Sequence, residues 1–155
     1  MIRVKKILYP TDFSSYSNQA YFHAVALAEN HQASLTALFV YTPDMITPGQ
    51  PPDEAGARHY WQNQLEQIRP VDPRIVVRHV LLVGDPAREI VRFGRDATMD
   101  LIVMGTHGRT GLERLLLGSV AEHVMKEASC SVLVVKLPRG VPATETPEVA
   151  GAVGR

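Results

Sequence analysis

Among its 155 residues the chain carries a single cysteine, Cys130. An internal disulfide is impossible and a thiolate metal cluster is excluded. Neither charge is in surplus, since 16 Lys and Arg balance 16 Asp and Glu. A non-specific grip on nucleic acid or on an anionic membrane needs such a surplus, so neither partner is expected. No apolar run approaches the roughly 20 residues of a membrane helix. The start, Met1-Ile2-Arg3-Val4-Lys5-Lys6, leads straight into an apolar stretch. It shows neither the long apolar region nor the small-residue cleavage site of a signal peptide, and a cytoplasmic location is the expectation. Two phosphate-loop signatures, G-x-x-x-x-G-K-[ST] and G-x-G-x-x-G, are missing as well. His23, His31, His59, His79 and His123 lack metal-ligand spacing.

What is present is enough chain for one core without covalent staples, and an alternation of strand and helix patterns. Val4 and Ile7-Leu8-Tyr9 predict a first strand that stops at Pro10. Ser14 and Ser15 are N-cap candidates, and Tyr16, Ala20, Ala24, Leu27 and Ala28 follow at helical spacing. Leu35 to Tyr41 predicts a second strand. Pro43, Pro48, Gly49, Pro51 and Pro52 then break regular structure, which predicts a long loop from Thr42 to Arg58. Trp61, Leu65 and Ile68 mark a short helix ending near Pro70, with Trp61 as packing. Ile75 to Val83 predicts a third strand closed by Gly84. Asp85-Pro86 opens the next helix, Asp as cap and Pro at the first position, with Ala87, Ile90 and Val91 as its buried stripe. Leu101-Ile102-Val103-Met104 is a fourth strand, apolar on both faces. Val120, Val124, Met125 and Ala128 outline a last helix, and Ser131 to Val135 a fifth strand. Cys130 beside it is expected to be an inert buried thiol. The expected domain is 1–137. From Pro138 to Arg155 the Pro, Gly, Ala and Thr content predicts a disordered tail.

Such alternation argues for an α/β fold, a parallel sheet with helices on both faces. The last strand is open to two readings. Its unbroken apolar run Val132-Leu133-Val134-Val135 suits a central strand, or an edge strand covered by a second subunit.

The chemistry concentrates in Gly105-Thr106-His107-Gly108-Arg109-Thr110-Gly111, continuing to Gly118-Ser119-Val120, between a buried strand and a helix. Ligands of open α/β sheets sit beyond the carboxyl ends of strands. Glycines let backbone approach a ligand closely, successive N–H groups cradle anions, and a helix start favours phosphate. Arg109 and Arg114 are candidates for charge-assisted bonds to phosphate. Pattern alone reaches an anion site at a strand-to-helix turn. Ser119 has a rival role, because Ser119-Val120-Ala121-Glu122 is a capping box. Asp12 is either a receiver of a ribose hydroxyl or metal-bound water, or a helix cap.

The spacing Gly105-x₂-Gly108-x₉-Gly118-Ser119 resembles the ATP-binding signature of the universal stress protein family. The words ILYPTDFS, VGDPAREIV, DLIVMGTHGRTGLERLLLGSVAEHV and CSVLVVK resemble that family too, in order, over residues 2 to 137. The resemblance implies an open, Rossmann-like five-stranded parallel sheet in the order 3-2-1-4-5, with a homodimer formed through Val132 to Val135. It implies ATP across the ends of strands one and four, with Pro10, Thr11 and Asp12 flanking adenine and ribose and Val40 against the adenine. Met104, Gly105, His107, Gly108, Arg109, Gly118, Ser119 and Val120 would line ribose and phosphates. Mg²⁺ would arrive with the nucleotide.

Three functions compete. One is an ATP-binding regulatory module with slow or no hydrolysis, since phosphoryl transfer needs a water positioner and metal ligands that the glycine stretch does not evidently supply. Another is adenylyl transfer, whose S-G-G-x-D-S or H-x-G-H patterns do not occur here. The third is a dimeric scaffold with an empty glycine turn.

Overall fold

The computed structural model describes residues 2–44, 49–107 and 117–137. Among them, strands and helices alternate as β1 (Lys6–Pro10), α1 (Ser15–His31), β2 (Ser34–Tyr41), α2 (Glu54–Glu66), β3 (Val77–Val83), α3 (Pro86–Asp96), β4 (Leu101–Gly105), α4 (Ser119–Glu127) and β5 (Ser131–Val135). The strands form one sheet in the order β3-β2-β1-β4-β5, and every neighbouring pair is parallel. This is the expected α/β architecture and strand order. The expected tail, 138–155, lies outside the described residues.

Strand alternation splits the core in two. Ile7, Tyr9, Leu35, Ala37, Phe39 and Val103 face α1 and α2, whose Ala20, Ala24, Trp61 and Leu65 complete one apolar layer. Leu8, Leu38, Val40, Ile102 and Met104 face the other way, onto Ile90 of α3 and Ala121 and Val124 of α4. The central strands are apolar on both faces because both faces are covered by helices. β5 lies at an edge, with Leu133 and Ser131 exposed, which decides between the two positions its sequence left open.

Local signals placed most helix starts correctly. Ser14 caps α1 by accepting the Ser17 N–H at 3.4 Å, and Asp85 caps α3 by accepting the Arg88 N–H at 3.0 Å, with Pro86 at the first turn. One expectation is corrected. The loop expected to reach Arg58 gives way to α2 at Glu54, where Asp53 accepts the Gly56 N–H at 2.7 Å. The buried stripe of α2 is Ala57, Trp61, Leu65, and alanine is too small to announce it. Met125, one of the apolar residues that outline α4, is exposed; the core side of that helix is formed by Ala121 and Val124.

An aromatic group ties the first layer together. Trp61 lies parallel to Phe13 at 5.3 Å and tilted against Phe39 at 4.7 Å, and its Nε1–H donates to Gln50 Oε1 at 2.9 Å. One side chain therefore joins the β1–α1 turn, β2 and the proline-rich connection before α2. Replacing it leaves a cavity as well as losing burial, so Trp61→Ala should lower unfolding free energy by about 3–5 kcal/mol. Urea titration of the two proteins measures this; a loss below about 1 kcal/mol would show that the cluster contributes little.

Candidate functional site

β1 and β4 are neighbours whose connections leave in opposite directions, β1 towards β2 and β4 towards β5. Their carboxyl ends form the switch point where open sheets of this kind leave a crevice. At the end of β1 the ladder extends by one bond, Thr11 N–H to Leu38 O at 2.8 Å. The chain then turns tightly. Thr11 Oγ1 accepts the Phe13 N–H at 3.0 Å and shares a 3.1 Å hydrogen bond with Ser17 Oγ. Asp12 Oδ1 accepts the Ser14 N–H at 3.0 Å. Phe13 takes a left-handed φ of 63°, unusual for a bulky side chain, and its ring is buried in the aromatic group described above. The Tyr9 hydroxyl donates to Ser17 O at 2.8 Å. Burial pushes the Tyr9 phenol well above its ordinary range, so it remains a neutral donor.

At the end of β4, Thr106 donates its N–H to Val135 O at 3.2 Å and accepts the Gly118 N–H at 2.7 Å. The chain thus leaves the sheet after Thr106 and returns to the same residue at Gly118, directly before α4. Gly118 is the N-cap of α4, and among the described residues no side chain caps it. The other helices, α1, α2 and α3, each have a side-chain cap, from Ser14, Asp53 and Asp85. Ser119 is the first helical residue and is exposed. The capping box expected of Ser119 and Glu122 is not formed: with Gly118 as cap, Glu122 falls one position too late and accepts from Lys126 Nζ at 2.8 Å instead. The first-turn amides of a helix have no intrahelical acceptors, and here they lie one hydrogen bond from the tip of β4.

The remaining expected residues distribute as follows. Val40 and Met104, near the ends of β2 and β4, are buried in the α3/α4 layer with Leu8. Pro10 is buried at the end of β1, Asp12 is half-buried, and Val120 is half-buried in the first turn of α4. The His107 ring lies 5.1 Å from the Tyr16 ring, and its Nδ1 is 3.0 Å from Thr106 Oγ1. Gly108 and Arg109 fall outside the described residues, as do Gly111 and Arg114. Cys130 is half-buried, and burial raises its thiol above the ordinary value. Among the described residues, no group of three or more His, Cys, Asp or Glu is placed to hold a metal ion.

Sequence reasoning missed what Gly105 does. A Cβ there would lie 2.8 Å from both the carbonyl carbon and the oxygen of Tyr16. The first turn of α1 rests on the end of β4, and only glycine permits it. The partner is remote in sequence, so no local pattern discloses it. Gly105→Ala should therefore destabilise the nucleotide-free protein by about 1–3 kcal/mol, the usual cost of overpacking a rigid contact. Chemical denaturation without added nucleotide measures this, and an unchanged midpoint would refute the steric role.

The chain matches the model of the universal stress protein family over residues 3–136. It is 41% identical to the universal stress protein MJ0531 of Methanocaldococcus jannaschii, over 87% of this chain and 84% of that protein. The solved structure of MJ0577, a universal stress protein of the same organism, superposes with a TM-score of 0.78 at 34% identity, covering 90% of this chain and all of that one. A universal stress protein of Archaeoglobus fulgidus, solved in complex with dAMP, shares the fold at a TM-score of 0.62 and 20% identity, covering 88% of this chain and all of that one. With this strand order, this turn after β4 and these matches along nearly the whole described chain, the protein belongs to the universal stress protein family.

Proposed function

We propose that this protein binds an adenine nucleotide, ATP in its working state, across the carboxyl ends of β1 and β4, and acts as a regulatory module with slow or no hydrolysis. The observation that carries the reading is the start of α4, which has a glycine as its N-cap and is held against the tip of β4 by the Gly118–Thr106 bond. Three helices have side-chain caps, whereas among the described residues no side chain caps this one, and such a helix start suits phosphate. The glycine spacing from Gly105 to Gly118 and the dAMP complex of a family member support the same ligand class. In this reading Pro10, Thr11 and Asp12 flank base and ribose, and Val40 and Met104 supply the apolar floor. His107, Gly108, Arg109, Gly118, Ser119 and Val120 line the phosphates. Gly105 contributes by letting α1 close on the strand end. A bound Mg²⁺ would be held chiefly by the phosphates, with Asp12 as the carboxylate at the β1 end. Glu122, engaged by Lys126, is turned to a surface pair rather than to the activation of water.

ATP at a hundredfold excess over its Kd should stabilise the fold by about 2.7 kcal/mol, which for a domain of this size raises Tm by roughly 5–10 °C. No shift at millimolar ATP, ADP or AMP would refute the reading. A sharper test separates the helix from the ligand. Gly118 has φ of −60°, which any residue adopts, and aspartate is a good N-cap. Gly118→Asp should therefore leave the nucleotide-free Tm unchanged or raised, yet abolish the nucleotide-induced shift by placing a carboxylate where phosphate belongs. A variant that still responds to ATP would remove the start of α4 from the site.

The reading includes a homodimer through β5, whose exposed Leu133 at the sheet edge, with the exposed Met125 on α4, supplies an apolar surface. Leu133→Lys should convert the dimer to monomer in sedimentation at micromolar concentration; a wild-type monomer would refute this assembly.

A further inference from the structure

The geometry points to Tyr16 as a positioning residue of the nucleotide site, one that fixes the imidazole of His107 towards the ligand from the first turn of α1. This assignment rests on the nucleotide reading above and goes beyond the residues it names. Tyr16 is not adjacent to the glycine turn in sequence. It reaches the turn because its backbone lies against Gly105, where an added Cβ would approach within 2.8 Å. From that anchor its ring, nearly buried at 7% exposure, meets the His107 ring at a centroid distance of 5.1 Å and an angle of 47°. Aromatic pairs at this separation and tilt attract one another beyond simple burial.

The second restraint on the imidazole comes from the other side. His107 Nδ1 lies 3.0 Å from Thr106 Oγ1, and Thr106 is itself held by Val135 O and by the Gly118 N–H. One ring nitrogen is thus tied to the strand end while the ring face is steadied by Tyr16. An imidazole has two ring nitrogens on opposite sides, so fixing Nδ1 also fixes the direction of Nε2. A loop histidine without the Tyr16 ring would sample several rotamers, and ordering it would cost side-chain entropy on binding. Tyr16 prepays that ordering in the free protein. Its hydroxyl has no part in the argument; its ring does.

The test is a double-mutant cycle on full-length protein, with ATP affinity read by calorimetry. Tyr16→Leu and His107→Ala should each weaken ATP roughly tenfold, and the double variant should be little weaker than either alone, because residues in contact that act as one unit are not additive. Tyr16→Phe should bind ATP within about twofold of wild type, since it keeps the ring contact. Fully additive losses, or wild-type affinity in a folded Tyr16→Leu protein, would overturn the assignment. NMR of the His107 ring protons gives a readout that does not depend on the leucine variant folding. In the wild-type protein these resonances should lie upfield from the Tyr16 ring current, should stay there in Tyr16→Phe, and should move on saturation with ATP. Resonances unmoved by saturating ATP would also overturn it. Failure of the nucleotide reading looks different, because wild-type protein would then give no binding heat at all.

Discussion

The structure depends most on the place where the first turn of α1 lies against the end of β4, with no side chain at Gly105 to keep them apart. The β1–β4 register, Ile7 opposite Leu101 and Leu8 opposite Ile102, brings the two strand ends side by side. The chain leaving β1 must then double back at once if α1 is to cover the neighbouring strand. Thr11, Asp12 and Ser14 hold the turn by short side-chain-to-backbone bonds. Phe13 accepts a left-handed backbone there, and burial of its ring between Phe39 and Trp61 offsets the strain. The Tyr9 hydroxyl completes the join by bonding Ser17 O beneath the helix. Without this close approach, neither the β1 turn nor His107 would stand where the crevice opens.

Much of this was legible in the sequence where the signal is local. Asp85-Pro86 and Ser14 announce helix starts because a cap is a contact between residues three apart. Buried strands show as apolar runs. The long loop was overextended because Ala57, a buried member of the α2 stripe, carries almost no hydrophobic signal. Ser119 to Glu122 misled for the opposite reason. The four letters of a capping box are present, but the bond from Gly118 to Thr106 sets the helix start, and that bond is tertiary. Gly105 was read as a residue that lets a ligand approach, and the structure adds that a helix approaches it. Local patterns report local physics, and the site is built from contacts between remote segments.

The same comparison separates stability from binding within one element. A serine or aspartate at position 118 would satisfy the start of α4, as Ser14, Asp53 and Asp85 satisfy the other helices. Glycine forgoes that stabilisation, which is worth about 0.3 kcal/mol relative to a capping side chain. In return the cap residue places no side chain of its own before the first-turn amides. Such small local sacrifices are the expected signature of a functional site in an otherwise consistent sequence.

The edge strand enters the same network. Thr106 stands at the start of the β4 turn, and its backbone N–H donates to the carbonyl of Val135, the last residue of β5. Edge strands are the most easily opened part of a sheet, because one row of their backbone groups lacks a strand partner. Fraying of β5 would loosen Thr106, and with it both the Gly118 bond and the hydroxyl that restrains His107. A second subunit seated on that edge would therefore do more than cover apolar surface. By suppressing fraying it would steady the turn on which the crevice is built, so that assembly and ligand affinity would be linked through one carbonyl, that of Val135.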